Sequence, residues 1–512
     1  MKFLRPSFNN LSSKALTSFI LNIYFVAIFV IYPFFMKTGY VNISDHKFYF
    51  FLYSSLGAVF LVILTGLIEL IKSFHSFNST DLFLLLFIIV SIISFGISPY
   101  KEVSFLGTGG WYMGFLTMII MSVLYILISR LWEYEKNILF FPLIATFVVY
   151  LLGILDRFSI YLIPLDPRNP SFISTLGNIN WFVGYYSVIT PIGCGLFMYH
   201  FEKNKNSLLT KALGIWVVIS FMAGFSQGSE SVFLFDIALF GGLLFLCSRG
   251  MLRLENWFFT AFLWGLSSFF ISIMRYCMPQ GYNYDGGGIF DFFTKQPTGM
   301  YIAVIAFFGY FLLTKCDDEM RYKKISWVVY LLSLGTVFIG VIIFIILGIL
   351  NTNGKLSNPI YNSMFFFNES FGSGRGEAYK IAALAFKNMP FVNKLFGMGP
   401  DTFSSFVYSI EPLREELYRV WPEDILTNAH CEYLTLLINE GIVGLLVYIG
   451  IFVSFISRNI RKCKNPVVMC ITLSVFCYMV HNLLSFMQVL NTPYLFILMG
   501  IAKACDESVN KV

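Results

Sequence analysis

Charge is scarce in this sequence: Asp, Glu, Lys and Arg make up only 12% of its 512 residues, against a hydrophobic share of 57%. Soluble domains carry about 25% charged residues, so a soluble domain is excluded and an integral membrane protein is expected. Nine cysteines are present. No Cys-x-x-Cys or Cys/His spacing recurs among them, which excludes a disulfide framework and a zinc site. Cys463, Cys470 and Cys477, seven apart, read as small packing residues on one helix face. Also lacking is apolar alternation over segments of about 10 residues, the mark of a membrane β-barrel. Lys2, Arg5 and Lys14 precede an apolar run as in a signal peptide, but the run ends in Phe34, Phe35, Met36 and Lys37 without a small-residue cleavage site. It therefore reads as a retained first span.

Long apolar runs are what the chain has in abundance. Windows of the length that crosses about 30 Å of hydrocarbon occur some fourteen times, with twelve as the alternative count. They cover 17–36, 48–71, 82–98, 112–129, 138–155, 181–199, 212–225, 231–247, 256–274, 298–314, 326–350, 433–456, 467–486 and 490–504. The predicted fold is all-α, a polytopic transmembrane helical bundle. Of the 35 Lys and Arg residues, 21 fall in one alternating set of connections. That set includes Arg130 and Lys136, Lys203, Lys205 and Lys211, Arg458, Arg461, Lys462 and Lys464, and Lys503 and Lys511. Seven occupy the opposite short connections and seven a single long loop. The positive-inside rule then puts both termini in the cytoplasm and the long loop outside. The net charge of +6 obeys this membrane rule, so no nucleic-acid partner is expected.

Three regions follow: helices 1 to 11 over 1–350, a large extracytoplasmic loop over 351–432, and helices 12 to 14 over 433–512. In the loop, Ala378, Ile381, Ala382, Leu384, Ala385 and Phe386 sit at helical spacing beside Glu377, Lys380 and Lys387. This predicts an amphipathic helix on the membrane surface from Gly376 to Met389, ended by Pro390. Gly397, Gly399 and Pro400 predict a tight turn, and Thr402, Phe403, Phe406 and Val407 a second short amphipathic helix.

Three clusters carry chemistry. In Gly372-Ser373-Gly374-Arg375, open backbone N–H groups and a guanidinium before a helix start suit a phosphate or diphosphate; the alternative is an Arg paired with Glu369 or Asp401. The second is Gly397-Met398-Gly399-Pro400-Asp401-Thr402-Phe403. In the third, Asn428-Ala429-His430-Cys431-Glu432-Tyr433-Leu434, His430 stands where the loop returns to the membrane. A neutral imidazole there could take a proton from a hydroxyl, or simply bond the backbone at a helix start. His481 with Asn482, in the outer third of the thirteenth window, could reach the same pocket or pair with a neighbouring helix.

These motifs, in this order in a many-span chain and followed by Glu440-Gly441-Ile442-Val443-Gly444-Leu445, resemble the O-antigen ligase and polysaccharide polymerase superfamily of bacteria over about residues 368–446. Gly177-Asn178-Ile179-Asn180-Trp181, Gly107-Thr108-Gly109-Gly110 with Gly114, and His481 to Gly500 are weaker echoes. The chain departs from the family in three places: Ser226-Gln227-Gly228-Ser229 lacks an arginine often found there, Trp111 replaces another, and Cys431 follows His430 in place of asparagine.

The resemblance implies a glycosyltransferase that needs no metal or cofactor and works on the outer face of the cytoplasmic (inner) membrane of a bacterium. Its partners would be a polyprenyl-diphosphate-linked glycan donor, a glycan, lipid or protein acceptor, and membrane lipid. Arg375 would hold the diphosphate and His430 act as base or position the acceptor, as the catalytic pair. Gly374, Gly399, Asp401, Asn428, Glu432, Arg168 and His481 would line the substrates. For the missing arginine, Arg157, Arg168 or Arg275 would substitute, or Arg375 would carry more of the diphosphate with Arg414 or Arg419. The alternatives are a polymerase joining lipid-linked repeats, a lipid-linked glycan transporter, or a receptor that kept the fold without catalysis.

Overall fold

With hydrocarbon on all sides, backbone polar groups must be satisfied within each segment, and helices do this. The computed structural model describes residues 12–73, 77–135, 137–284, 288–316, 318–460 and 465–509. Lys2, Arg5, Lys136, Arg461, Lys462, Cys463, Lys464 and Lys511 lie outside the described residues. The first group of helices is α1 (Ser13–Val26, continued by short π and 3-10 turns to Phe34), α2 (Ile43–Lys72), α3 (Ser79–Ile97), α4 (Lys101–Leu106), α5 (Phe115–Leu131) and α6 (Phe140–Arg157). A two-residue antiparallel pair, β1 (Phe172–Ile173) with β2 (Gly177–Asn178), leads into α7 (Ile179–Lys203). Then come α8 (Leu208–Ser226), α9 (Ser231–Ser248), α10 (Leu254–Cys277), α11 (Gly288–Thr294), α12 (Thr298–Leu313) and α13 (Glu319–Thr352). The long loop holds α14 (Phe371–Asn388), α15 (Phe391–Phe396), α16 (Phe403–Val407) and α17 (Glu411–Val420). The chain closes with α18 (Glu432–Asn439), α19 (Gly441–Asn459), α20 (Pro466–His481) and α21 (Thr492–Val509).

The fold is an all-α polytopic bundle, and the chain is a multi-pass membrane protein. A helix occupies each of the fourteen expected windows. Among the described residues ten helices are long and apolar enough to cross a membrane, or eleven if α11 and α12, bent by 63° at their break, form one span. The helices α5 and α20 are shorter, and α21 carries Lys503, Asp506 and Glu507 near its end. The window from 433 to 456 is broken: α18 ends at Asn439 and α19 starts at Gly441, whose φ of 70° turns the chain.

The basic connections gather at one end of the bundle, where side-chain caps start several helices. Ser12, Asn78, Ser207, Asp318 and Asn465 each accept a backbone N–H of the first turn, satisfying donors the helix leaves open. At this end Asp81 of α3 takes Lys503 of α21 at 2.6 Å and Arg130 of α5 at 3.2 Å, with all three side chains at 3% exposure or less. The buried core of the bundle, from Leu21 to Cys505, packs α7 against α20 and α21 against α5; Cys194, Cys470 and Cys477 lie in it as free thiols.

The apolar face of α14 does not lie on a membrane surface. Ala378, Ile381, Ala382 and Ala385 are buried in a second core with Met398, Phe403, Phe406, Val407, Leu413, Leu417, Leu426, Ala429 and Ile438. The loop contains enough apolar side chains on α16, α17 and the 426–438 segment to cover that face itself. The helices α15 and α17 were not anticipated from periodicity.

Replacing Asp81 would remove the buried carboxylate that Lys503 and Arg130 share, and breaking a buried pair by removing one partner costs about 3–5 kcal/mol. Asp81→Ala is therefore expected to lower the melting temperature of the purified protein far more than Lys14→Ala, which removes the exposed Lys14–Glu133 pair at 3.7 Å. Differential scanning fluorimetry in detergent checks this.

Candidate functional site at the loop end of the bundle

The turn at Gly397–Asp401 fixes the loop on the bundle. Met398 N and Gly399 N donate to Ile438 O and Asn439 O at 2.9 and 3.0 Å, so the turn lies on the break between α18 and α19. A side chain at Gly397 would run into the Asn439 carbonyl and one at Gly399 into Ser98, and both glycines have positive φ, 84° and 119°. Asp401 then reaches the early glycine loop: its Oδ2 accepts Thr108 N at 2.8 Å and Met113 N at 3.1 Å, and its carbonyl accepts the Thr108 hydroxyl at 2.9 Å. Burial raises the Asp401 carboxyl to about 7 against the pull of these two N–H donors.

Arg375 begins the regular part of α14, just after three left-handed residues, Gly372, Ser373 and Gly374. Its Nη1 donates to Gly372 O at 2.7 Å, while Nε is buried without a partner. The expected alternative pairings do not form. Glu369 is engaged by Lys380 at 2.8 Å, and Asp401 by the backbone of residues 108 and 113. Of the three loop arginines, Arg414 pairs with Glu411 at 3.8 Å and Arg419 with Glu416 at 2.9 Å; Arg375 alone has no carboxylate within ion-pair distance among the described residues. Burial is the main influence lowering its pKa, partly opposed by Tyr379 and Glu230. The Glu230 side chain, just before α9, makes no hydrogen bond among the described residues, and burial raises its pKa against the pull of Arg375.

His430 is held by its own backbone. Its φ is 49°, its N–H donates to Asn428 Oδ1 at 2.9 Å, and Ala429 N donates to Thr435 Oγ1 at 3.0 Å. The imidazole packs edge-on against Phe486 at 5.5 Å, and Phe486 packs against Trp111 at 4.6 Å. Neither ring nitrogen makes a hydrogen bond among the described residues. Burial first and the charge of Arg375 second lower its pKa to about 4, so the ring is neutral at pH 7 with a lone pair to offer. Arg375 and His430 are thus brought within electrostatic reach of each other across 55 residues of sequence.

His481 differs from His430. It is fully buried, with Nδ1 at 3.0 Å from Asn482 Oδ1 and Nε2 at 3.2 Å from Ser231 Oγ, so both nitrogens are engaged. From Ser231 the network continues through Ser229 to Asn180; from Asn482 it continues to Glu432, which also accepts Tyr478 OH at 2.9 Å. Glu432 therefore faces α20 and not the loop cavity.

The arginines considered for the missing charge are committed elsewhere. Arg157 is fully buried and donates to Ser226 O, Gln227 O, Pro170 O and Asn283 Oδ1 at 2.6 to 3.1 Å, clasping the loop that lacks the arginine. Arg168 donates to Ile163 O at 2.6 Å, stacks on Tyr161 and lies 3.8 Å from Asp156. Arg275 pairs with Asp291 at 3.1 Å. Three carboxylates of the loop, Glu369, Glu377 and Glu416, come within 4.8 Å of one another, and the ammonium of Lys380 lies 2.8 to 3.5 Å from each.

Sequence reasoning missed Glu230, Tyr379, Phe486 and the position of Trp111 beside it. Only Glu230 left a trace, as a charge directly after Ser226-Gln227-Gly228-Ser229; the others look like ordinary membrane aromatics until the chain is folded.

None of the curated proteins compared matches this chain. The family described as O-antigen ligase matches residues 288–449, the stretch that begins at α11, holds Arg375, Asp401 and His430, and ends within α19, so over that stretch the chain is similar to O-antigen ligases.

Proposed function

We propose that the chain is a glycosyltransferase that moves a glycan from a polyprenyl diphosphate to an acceptor hydroxyl on the outer face of the cytoplasmic membrane, as an O-antigen ligase does. The observation that carries this reading is the pairing of an uncompensated guanidinium, Arg375, with a neutral and unbonded imidazole, His430, in one loop. Transfer requires two things at once: a base for the acceptor proton and positive charge for the departing diphosphate. The acceptor oxygen attacks the anomeric carbon as its proton passes to His430, the bond from that carbon to the diphosphate oxygen breaks, and the lipid diphosphate leaves with the electron pair beside Arg375. The imidazolium then returns its proton to solvent. Gly374, Asn428 and Asp401 act by holding the loop backbone, Glu432 by locking α18 to α20 and His481 by tying α20 to α9. A polymerase would use the same groups; loss of this protein is expected to leave long glycans on the lipid carrier, whereas loss of a polymerase leaves single repeats.

Orientation is tested first. With the N- and C-termini cytoplasmic, Lys205→Cys in a background without native cysteines is expected to resist an impermeant thiol reagent in intact cells, and Ser373→Cys to react. The reverse pattern would invert the topology.

Arg375→Ala should abolish transfer at unchanged protein level, and Arg375→Lys should restore little of it, because an ammonium lacks the planar fork that meets two phosphate oxygens. Transfer assays with lipid-linked donor check both; an active alanine variant would remove Arg375 from the site.

His430→Ala is expected to lower turnover by about 10²- to 10⁴-fold, the usual worth of a general base, with much less effect on donor binding. A histidine whose pKa is lowered to about 4 stays neutral well below pH 6.5, so kcat/KM should hold level from pH 8 to about pH 5 and decline only below that. Activity should persist in EDTA, and His481→Gln should do less damage than His430→Ala. Loss in EDTA that divalent cations restore would overturn this mechanism.

A further inference from the structure

The functional reading leaves one cavity of the loop unused. It has a volume of about 670 Å³ and lies between the segment Phe367–Asn368–Glu369 and the face of α14 formed by Phe371, Gly376, Tyr379 and Lys380. Arg375 is on the same helix, one residue before Gly376. Three rings border the cavity, with Phe371 between the other two at 5.6 Å from Phe367 and 6.4 Å from Tyr379. Phe367 is fixed from below, since its N–H donates to Thr352 Oγ1 at 2.7 Å and its ring packs on Phe344 of α13 at 5.4 Å. A side chain at position 376 would strike the Asn368 carbonyl, so the walls meet this closely only because glycine is there. The Oδ1 of Asn368 is taken by Ser370, leaving its Nδ2 as a free donor. Around Lys380 stand Glu369, Glu377 and Glu416, and Glu416 also takes Arg419 at 2.9 Å, which leaves three carboxyl groups to two cations.

Aromatic walls with a few placed polar groups suit a ring that is apolar on its faces and hydroxylated at its edge. Resting on the donor reading above, we propose that this cavity is a saccharide subsite that receives the sugar attached to the diphosphate, and that it accepts neutral or amino sugars while rejecting sugars that bear a carboxylate. Tyr379, one wall of the cavity, lies within electrostatic reach of Arg375, so a diphosphate held by Arg375 stands at the cavity's edge, which makes the first sugar of the donor its occupant. The C–H face of the sugar stacks on Phe371, and its hydroxyls meet Asn368 Nδ2 and the Glu369 carboxylate. Discrimination comes from the excess of carboxyl groups, a repulsive element against an acidic ring.

The test measures binding of three synthetic probes to the purified full chain in nanodiscs: polyprenyl diphosphate alone, the same lipid bearing N-acetylglucosamine, and the same lipid bearing glucuronic acid. The wild type should hold the N-acetylglucosamine probe more tightly than the bare lipid, and the glucuronic acid probe no more tightly. Phe371→Ala should remove about tenfold of the sugar's advantage, as expected for the loss of one buried ring contact, while bare-lipid binding stays within about twofold. That unchanged bare-lipid binding also reports that the variant is folded, and Phe371→Leu serves as the milder replacement. The double variant Glu369→Gln, Glu416→Gln should let the glucuronic acid probe gain on the bare lipid. Equal wild-type affinity for the bare and N-acetylglucosamine lipids would overturn the subsite, as would a sugar preference untouched by Phe371→Ala or an effect confined to acceptor KM. Binding of the sugar lipid with none of the bare lipid would instead overturn the diphosphate assignment of Arg375 and leave the subsite supported.

Discussion

Two backbone N–H groups of the early glycine loop, Thr108 and Met113, end on one carboxylate oxygen of Asp401, nearly three hundred residues later. Much of the arrangement at this end of the bundle depends on that contact. Asp401 belongs to the turn whose Met398 and Gly399 rest on the carbonyls of Ile438 and Asn439, so a single short segment ties the glycine loop, the long loop and the α18–α19 break together. Buried polar groups without partners are costly, so once the turn is seated it admits few alternatives. The second core, built on α14, α16 and α17, then sets the direction from which Arg375 approaches the bundle.

Against this background the unsatisfied groups stand out. His481, Glu432, Asn482 and Ser231 form a chain of engaged donors and acceptors, and Arg157 spends its guanidinium on backbone carbonyls. Among the described residues, by contrast, the His430 imidazole has no hydrogen bond and the Arg375 guanidinium has a single one, to a carbonyl. A protein interior rarely leaves such groups open unless something else completes them. The same contrast separates the two histidines, which the sequence presents as similar: one is a structural tie between α9 and α20, the other is free to exchange a proton.

How far the sequence reaches is clearest at three places. The apolar windows found every long helix, because the requirement to satisfy the backbone in hydrocarbon is local and is written in consecutive residues. Even so, periodicity placed the apolar face of α14 on lipid, since it records that a face must be buried but not what buries it. The twelfth window read as continuous because Glu440 and Gly441 sit within an apolar run, and only the packing of Gly441 against the Leu395 backbone requires the break.

The site divides in the same way. The sequence alone determined that the chain is an all-α membrane protein, and it singled out the late loop, with Arg375 and His430, as the place to look, because motif order and residue type survive in one dimension. It could not determine which charges are spent. Arg157, Arg168 and Arg275 were equal candidates until tertiary contacts gave each a partner, and Asp401 could have been a ligand, an ion-pair partner or a clamp. Whether a polar group is free is a property of what surrounds it in space, supplied here by residues tens to hundreds of positions away, and only the folded chain brings those surroundings together.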